Sequence, residues 1–300
     1  MSPVLPTPAV SRRHALTSLV AGTALTLTSS AITSAQEKAP LYRAHRGRIA
    51  QSVVPWCFQP LTVPELARHA AALGIKSVEL CPTTHWPLLK QLGLTPAIAG
   101  SHGFAKGFAN REEHEECLSI LRSRIDECAA AGVGRVITFS GFRKGITDED
   151  GIRNMVNGLK KIVGYAEEKN VTLCLEMLNS RVTEHMKGHP DYFCDDLERS
   201  VEICRQIGSP RMKVLFDFYH VQIMHGDLVR RLKQHKDYLG HIHTAGVPGR
   251  HEIDESQEIQ YPILMQTLIA IGYDGFVGQE FIPVGDKIAS LAQAVEICDL

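Results

Sequence analysis

The stretch "MKVLFDFYH" at residues 212–220 decides the fold. Its apolar run is typical of a buried strand, and the run ends in an acid, Asp217, with His220 three residues further on. An acid at this point either caps a following helix or faces a site at the end of the strand. A site requires matching side chains at the ends of other strands, so the rest of the chain decides between the two interpretations.

Strand-like runs recur along the chain and alternate with helical patterns such as "TVPELARHAAALG". There are eight of them, at residues 49–56, 75–80, 95–100, 135–140, 171–177, 212–218, 241–245 and 275–281. Eight strand–helix units in about 250 residues predict an α/β protein, a (β/α)8 TIM barrel in one domain over residues 48–300. A doubly wound sheet usually has a glycine-rich phosphate turn after its first strand, and "VVPWCFQPL" contains no glycine.

Residues 1–35 have the layout of a cleavable export signal. They contain no acid, carry the pair Arg12-Arg13, continue in an apolar run and end in the small residues "SSAITSA". The arginine pair indicates the twin-arginine route, so we expect a periplasmic or secreted protein with a linker at residues 36–47. The alternative is an internal apolar helix, which the shortness of the run and the cleavage pattern disfavour.

Charge and cysteine content exclude several classes of protein. Without the signal segment the net charge changes from −1 to −3, because two arginines are lost, and such a balance gives no indication of nucleic-acid binding. No later segment has the roughly 18 uninterrupted apolar residues of a membrane span. The eight cysteines form no C-x-x-C pair and are interpreted as small buried hydrophobic residues.

Four consecutive strands of the predicted barrel end in an acid or a histidine. Alternation along "VTLCLEM" places Glu176 opposite the large aliphatic residues, so it points inward at the end where active sites of barrels lie. The same reasoning places Asp217, His243 and Glu280 at the ends of the next three strands. Three buried carboxylates repel one another, and a divalent cation relieves that repulsion. The donor set favours Mn²⁺, Mg²⁺ or Co²⁺ over Zn²⁺, although each residue taken alone would be interpreted as a structural polar group.

Neighbouring residues extend this candidate site. His220, in the loop after Asp217, could contact a substrate oxygen or cap a helix, and Arg250 could hold a substrate hydroxyl or carboxylate or be an exposed loop residue. His241 should lie one layer deeper, as a packed or ligand-orienting residue. Trp56 is interpreted as a core residue rather than an apolar wall of the site. The loop 179–192 could cover substrate or be solvated.

The segments "LCLEMLN", "VLFDFYHVQ", "GHIHTAGVPGRHE" and "GFVGQEF" resemble the xylose isomerase-like TIM barrels of the sugar phosphate isomerase/epimerase superfamily. Within it the chain is most similar to hydroxypyruvate isomerases, from about residue 48 to the end. The resemblance implies that Glu176, Asp217, His243 and Glu280 bind the metal, that Glu176 and Glu280 also transfer protons, and that His220 and Arg250 contact substrate. Two features depart from hydroxypyruvate isomerases. They often have Gln at the position of His243, where His is usual in ketose 3-epimerases, and the 179–192 loop here is longer than in the simplest members.

These observations predict a metal-dependent isomerase or epimerase for a small keto-sugar or hydroxy-carbonyl compound, working through an enediolate. A lyase or dehydratase of the same superfamily is one alternative. A non-catalytic carbohydrate-binding barrel is another, from a different class. The apurinic-site endonucleases of this fold are disfavoured, since they need a histidine-richer zinc cluster and a DNA-binding face. Homo-oligomers are compatible with the sequence.

Overall fold

The structure, a computed structural model, describes residues 40–300. The predicted export signal, residues 1–35, lies outside the described residues, and so does the beginning of the predicted linker. Residues 40–47 hydrogen-bond to the domain that follows them: Ala44 donates to Leu73 O, and the amides of His45 and Gly47 donate to the carboxylate of Asp299. The chain is therefore tied to its own C-terminal end from His45 onward.

Short parallel strands make up the sheet of residues 40–300. They are β1 (Ala50–Val53), β2 (Ser77–Val78), β3 (Arg135–Thr138), β4 (Thr172–Glu176), β5 (Met212–Asp217), β6 (Leu239–Thr244) and β7 (Phe276–Gln279). Their order is β2-β1-β7-β6-β5-β4-β3, with every pair parallel. Seven of the eight predicted runs thus contain a strand, and the four that end in the candidate site residues are neighbours.

The remaining run, residues 95–100, was predicted to be a strand but does not form a regular strand. It forms isolated parallel bridges, Ser77 to Thr95 on one side and Ala99 to Val136 on the other. Pro96 has no backbone N–H to donate to a ladder, which explains the interruption. These bridges join the two edges, β2 and β3, so the segment closes the TIM barrel.

Helices follow the strands and form the outer layer. In the described chain they are α1 (Val63–Ala72), α2 (Trp86–Gln91), α3 (His114–Ala131), α4 (Asp148–Glu168), α5 (Leu197–Ile207), α6 (Phe218–Met224), α7 (Leu228–Gln234), α8 (Tyr261–Ala270) and α9 (Lys287–Cys298). Local sequence sets several boundaries. Thr62 and Glu65 form a capping box at the start of α1, and Gly132 and Gly208 end α3 and α5 in the left-handed conformation.

A single apolar core fills the space between the sheet and the helices. All eight cysteines are buried in it as free thiols in the described part of the chain, as the sequence predicted. Among residues 40–300, each helix is too short or too polar to cross a membrane.

Candidate metal centre and active site

Asp217 has both of the roles between which the sequence left a choice. Its Oδ1 accepts hydrogen bonds from the backbone amides of Tyr219 and His220, at 2.7 and 3.4 Å, and so caps α6. Its Oδ2 is buried and has no hydrogen-bond partner among residues 40–300. One carboxylate oxygen therefore fixes the helix, and the other is available to a ligand.

The four predicted ligands come together at one end of the barrel. Glu176 ends β4, Asp217 ends β5, His243 lies in β6, and Glu280 follows β7, where its amide donates to Thr244 O at 3.0 Å. All four are buried, and one ligand atom from each lies within 4.8 Å of those of the others. We call these four residues the ring.

The carboxylates of the ring are electrostatically strained. Burial raises the pKa of Glu176 to about 7 and that of Asp217 to about 6. Burial acts in the same direction on Glu280, but His243 and Arg250 outweigh it, and the pKa of Glu280 is lowered. The ring thus holds three carboxylates, which face two cationic groups, His243 within the ring and Arg250 beside it.

The orientation of His243 is set by a carboxylate behind it. Nε2 of His243 lies 2.7 Å from Oε1 of Glu79, and because a carboxylate only accepts, Nε2 carries the proton. Nδ1 faces the ring, 3.0 Å from Glu280 Oε2 and 3.6 Å from Glu176 Oε1. Burial acts to lower the pKa of His243, but Glu280 and the other carboxylates outweigh it, so the pKa is raised well above its usual value. Nδ1 is therefore the atom that can bind a cation.

Glu79 was not singled out from the sequence. It follows β2 and is fully buried, and the same oxygen that holds His243 also accepts from His241 Nε2 at 2.9 Å. Burial alone would raise the pKa of Glu79, but the two imidazoles outweigh it and lower the pKa to about 2. The signal that found Glu176, an acid at a strand end, was also present in "IKSVEL". His241 lies in the deeper layer, as predicted.

Arg250 is buried beside the ring rather than exposed in its loop. Its Nη2 lies 2.5 Å from Glu280 Oε2 and 3.7 Å from Asp217 Oδ2, and its Nη1 donates to Met186 O at 2.7 Å. The backbone of Arg250 is left-handed, with φ of 60°. The guanidinium therefore links the ring to the loop 179–192.

His220 lies in the first turn of α6, not in a loop as the sequence analysis expected, because Asp217 caps the helix directly at the strand end. Its Nδ1 accepts the backbone N–H of Asn179 at 3.0 Å, so the neutral ring carries its proton on Nε2. Burial and the nearby Arg250 lower the pKa of His220 well below its usual value. Nε2 lies 3.7 Å from Asp217 Oδ2 and can donate to an oxygen in the site.

A cavity of about 240 Å³ opens onto Glu176 and Glu280. Trp56 lies on its wall, and its Nε1 donates to Glu280 Oε1 at 3.2 Å. Trp56 packs against the core, as interpreted from the sequence, and also forms a wall of the site. Met186 and His189 bring the loop 179–192 to the cavity, whereas Arg181 and His185 of that loop are exposed. The loop is a wall of the site along one part of its length.

Comparisons with known proteins give the family of the chain. Residues 65–298 match the family model of the xylose isomerase-like TIM barrel. The chain belongs to this family. It is 33% identical over 259 residues to a human protein assigned as a hydroxypyruvate isomerase, covering 79% of this chain and 90% of that protein. It is 31% identical over 238 residues to the 2-oxo-tetronate isomerase of Cupriavidus necator, covering 74% and 88%.

Among solved structures, this xylose isomerase-like barrel resembles an AP endonuclease, family 2, from Brucella melitensis. The TM-score is 0.71 and the identity 26%, over 82% of this chain and 98% of that one. The expected resemblance to hydroxypyruvate isomerases is confirmed by the relatives, and so is the assignment to an isomerase and epimerase superfamily.

The ring of this xylose isomerase-like barrel fits a divalent cation. Asp217 Oδ2 and His243 Nδ1 are buried atoms with no hydrogen-bond partner in the described chain, and both belong to the ring. Three carboxylates and one imidazole form a set of mainly oxygen donors, which suits a hard divalent ion. An ion there would also offset the repulsion between the carboxylates, which adds to the effect of burial in raising the pKa of Glu176 and Asp217.

Proposed function

We propose that this xylose isomerase-like barrel is a divalent-metal-dependent isomerase or epimerase of small keto-sugars or related hydroxy-carbonyl compounds. The observation that carries the proposal is the convergence of ligand atoms from Glu176, Asp217, His243 and Glu280 within 4.8 Å of one another, with Glu176 and Glu280 also lining a small cavity. The relatives named as isomerases support the reaction class. The ring would hold Mn²⁺, Mg²⁺ or Co²⁺ in preference to Zn²⁺.

The ion and the two glutamates of the ring would have separate tasks. A bound divalent ion would supply Lewis-acid polarisation of the substrate carbonyl and neutralise charge as the enediolate forms. Glu176 and Glu280 would move the proton, one removing it and the other returning it. Return to the neighbouring carbon gives isomerisation, and return to the opposite face of the same carbon gives epimerisation.

The two glutamates are held differently. Both oxygens of Glu280 have partners, Trp56 on Oε1 and Arg250 on Oε2, so its position is fixed. Glu176 makes one long contact, 3.6 Å from Oε1 to His243 Nδ1, and it too lines the cavity. Nε2–H of His220 would donate to a substrate oxygen, and Arg250 would keep Glu280 ionised and oriented.

Elemental analysis of the purified protein tests the metal ring. We expect about one Mn, Mg or Co per chain in the wild type, after reloading where needed, and a loss of that metal in Asp217→Asn. Asparagine keeps an oxygen that can cap α6 but removes the charge. Asp196→Asn is the matched control, because Asp196 caps α5 through Arg199 N at 2.8 Å and is not part of the ring. An ion retained by Asp217→Asn would contradict the ring.

Solvent deuterium uptake tests the chemistry. The metal-loaded wild type should exchange the proton next to the carbonyl of a ketose in D₂O, and Glu280→Gln should lose most of that exchange. Full turnover in Glu280→Gln would show that the assignment of the acid and base is wrong. A product lighter by one water would identify a lyase instead.

We further propose, from the sequence of residues 1–35, that the protein is exported by the twin-arginine route. Replacing Arg12 and Arg13 together by lysine should retain the protein in the cytoplasm of its host. Unchanged export of that variant would contradict the route.

A further inference from the structure

The cavity is also lined by two polar side chains that are not part of the ring and have no hydrogen-bond partner for their polar atoms in the described chain. Ser101 lies in the segment 100–104, and its Oγ is buried with no hydrogen-bond partner among residues 40–300. His189 lies in the loop 179–192. Its imidazole ring makes no hydrogen bond to any of residues 40–300. Burying a hydroxyl without a partner is unfavourable, so a ligand group that completes the hydrogen bond is expected.

His189 is held in place although its ring nitrogens are free to bind. Its backbone amide donates to Asn179 O at 2.8 Å, and its ring packs on Phe104 with 4.3 Å between centroids. The side chain is buried at the cavity wall. Such an imidazole is oriented before a ligand arrives, which reduces the entropy lost on binding.

The charge of this wall is low. Burial is the main cause that lowers the pKa of His189 to about 4, and the positive charge of Arg250 is the second. The imidazole is therefore neutral at pH 7. Arg250 is the one Lys or Arg among the described residues that line the cavity, and its Nη2 is paired with Glu280 at 2.5 Å. A carboxylate or phosphate at the far end of a substrate would therefore meet neutral donors and apolar side chains such as Phe104 and Phe139.

We propose that Ser101 and His189 form a distal subsite that binds hydroxyl groups on an uncharged tail, so that the preferred substrates are neutral ketoses longer than three carbons. This rests on the proposed function, and it narrows the substrate class: a three-carbon acid such as hydroxypyruvate would leave the subsite unfilled. The cavity, at about 240 Å³, is smaller than the roughly 300–1,000 Å³ of drug-sized pockets, so a single sugar rather than an oligosaccharide is the fitting size.

Two substitutions probe the subsite. His189→Phe keeps a ring against Phe104 and removes both nitrogens, and Ser101→Ala removes the hydroxyl. His185→Phe is the matched control, because His185 is exposed in the same loop and does not line the cavity. Each Mn²⁺-loaded protein is assayed by deuterium uptake on dihydroxyacetone, on four-, five- and six-carbon ketoses, and on hydroxypyruvate. Binding of an uncharged six-carbon sugar alcohol is measured by calorimetry.

The wild type should prefer the longer neutral ketoses, and in His189→Phe kcat/KM for them should fall at least tenfold more than for dihydroxyacetone. Binding of the sugar alcohol should weaken at least tenfold in His189→Phe and less in Ser101→Ala. His185→Phe should behave as the wild type in both assays.

Separate outcomes test the subsite and the reaction. A wild type that prefers hydroxypyruvate, or a His189→Phe protein that loses activity equally on all chain lengths, would overturn the subsite and leave the proposed function standing. If the loaded wild type exchanged no deuterium with any compound, the proposed function would fail. Sugar-alcohol binding that depended on His189 would then still support the subsite, and equal binding by His189→Phe and the wild type would overturn it.

Discussion

Oε1 of Glu79 lies 2.7 Å from Nε2 of His243, and Glu79 does not line the cavity. The same oxygen contacts Nε2 of His241 at 2.9 Å, so one carboxylate orients two imidazoles. Carboxylates behind metal-binding histidines fix the tautomer and the direction of the ring nitrogen that faces the ion. Glu79 therefore directs Nδ1 of His243 toward the ring, as the proposed metal site requires.

Replacing Glu79 should lower the affinity of the proposed site for a metal ion. Glu79→Gln removes the charge that holds Nε2 of His243 protonated, and we expect Mn²⁺ affinity to fall by about 10- to 100-fold in a calorimetric titration. Glu113→Gln is the control. Glu113 is also a buried carboxylate, accepts from Gly107 N at 2.8 Å and pairs with Lys144, but it lies outside the ring. Equal Mn²⁺ affinity in Glu79→Gln and the wild type would refute the orienting role.

Because Gly278 has no side chain, Glu79 and His243 can come into contact beside it. A Cβ at this position in β7 would lie 2.5 Å from Glu79 Oε1 and 2.9 Å from His243 Cδ2. Gly278→Ala should therefore displace one of these side chains, lowering the free energy of unfolding by about 1–3 kcal/mol and weakening Mn²⁺ binding. Gly164→Ala, where a Cβ in α4 meets no atom within 4 Å, should be neutral or stabilise by about 0.5–1 kcal/mol. Chemical denaturation of both variants measures this, and a Gly278→Ala protein as stable as the wild type would refute the steric argument.

Arg250 should be irreplaceable by lysine. Its guanidinium contacts Glu280 and Met186 O through two different nitrogens, and a single ammonium group cannot reproduce that geometry. We expect kcat/KM for ketose exchange to fall by about 100-fold in Arg250→Lys. Arg181→Lys is the control, because Arg181 donates to Ile223 O from an exposed position. If both variants kept wild-type rates, Arg250 would be a structural residue.

Much of the fold and of the ring follows from period-two alternation in the strands. Because parallel strands of a barrel end at one rim, the acids of "LCLEM" and "VLFDF" could be placed side by side without knowledge of the contacts. The run 95–100 shows the limit of that reasoning, since Pro96 leaves bridges where a strand was expected. The helical position of His220 was missed because Asp217, the predicted ligand at the strand end, also caps the helix that starts there.

Contacts between distant segments could not be predicted in this way. Glu79 and His243 are separated by 164 positions, and nothing in the local pattern of either segment indicates the other. Tryptophan is a residue type expected in a core, so the sequence gives no sign of another role for Trp56. Its hydrogen bond from Nε1 to Glu280 becomes visible only in the folded structure. Which group a buried polar side chain meets depends on the order of strands in the barrel. Here β1 lies between β2 and β7, which are far from each other in sequence.

His189 should make the protein acid-sensitive. Its pKa is lowered to about 4 in the folded state by burial and by Arg250, against about 6.5 for an unperturbed histidine in the unfolded chain. Between these two pH values the unfolded chain binds a proton that the folded protein does not, so stability falls as the pH is lowered through this window. In His189→Gln the difference in urea midpoint between pH 7.5 and pH 5 should shrink, and in His185→Gln, at the exposed histidine of the same loop, it should not. An undiminished difference in His189→Gln would show that His189 binds its proton equally well in both states, as a solvated side chain does.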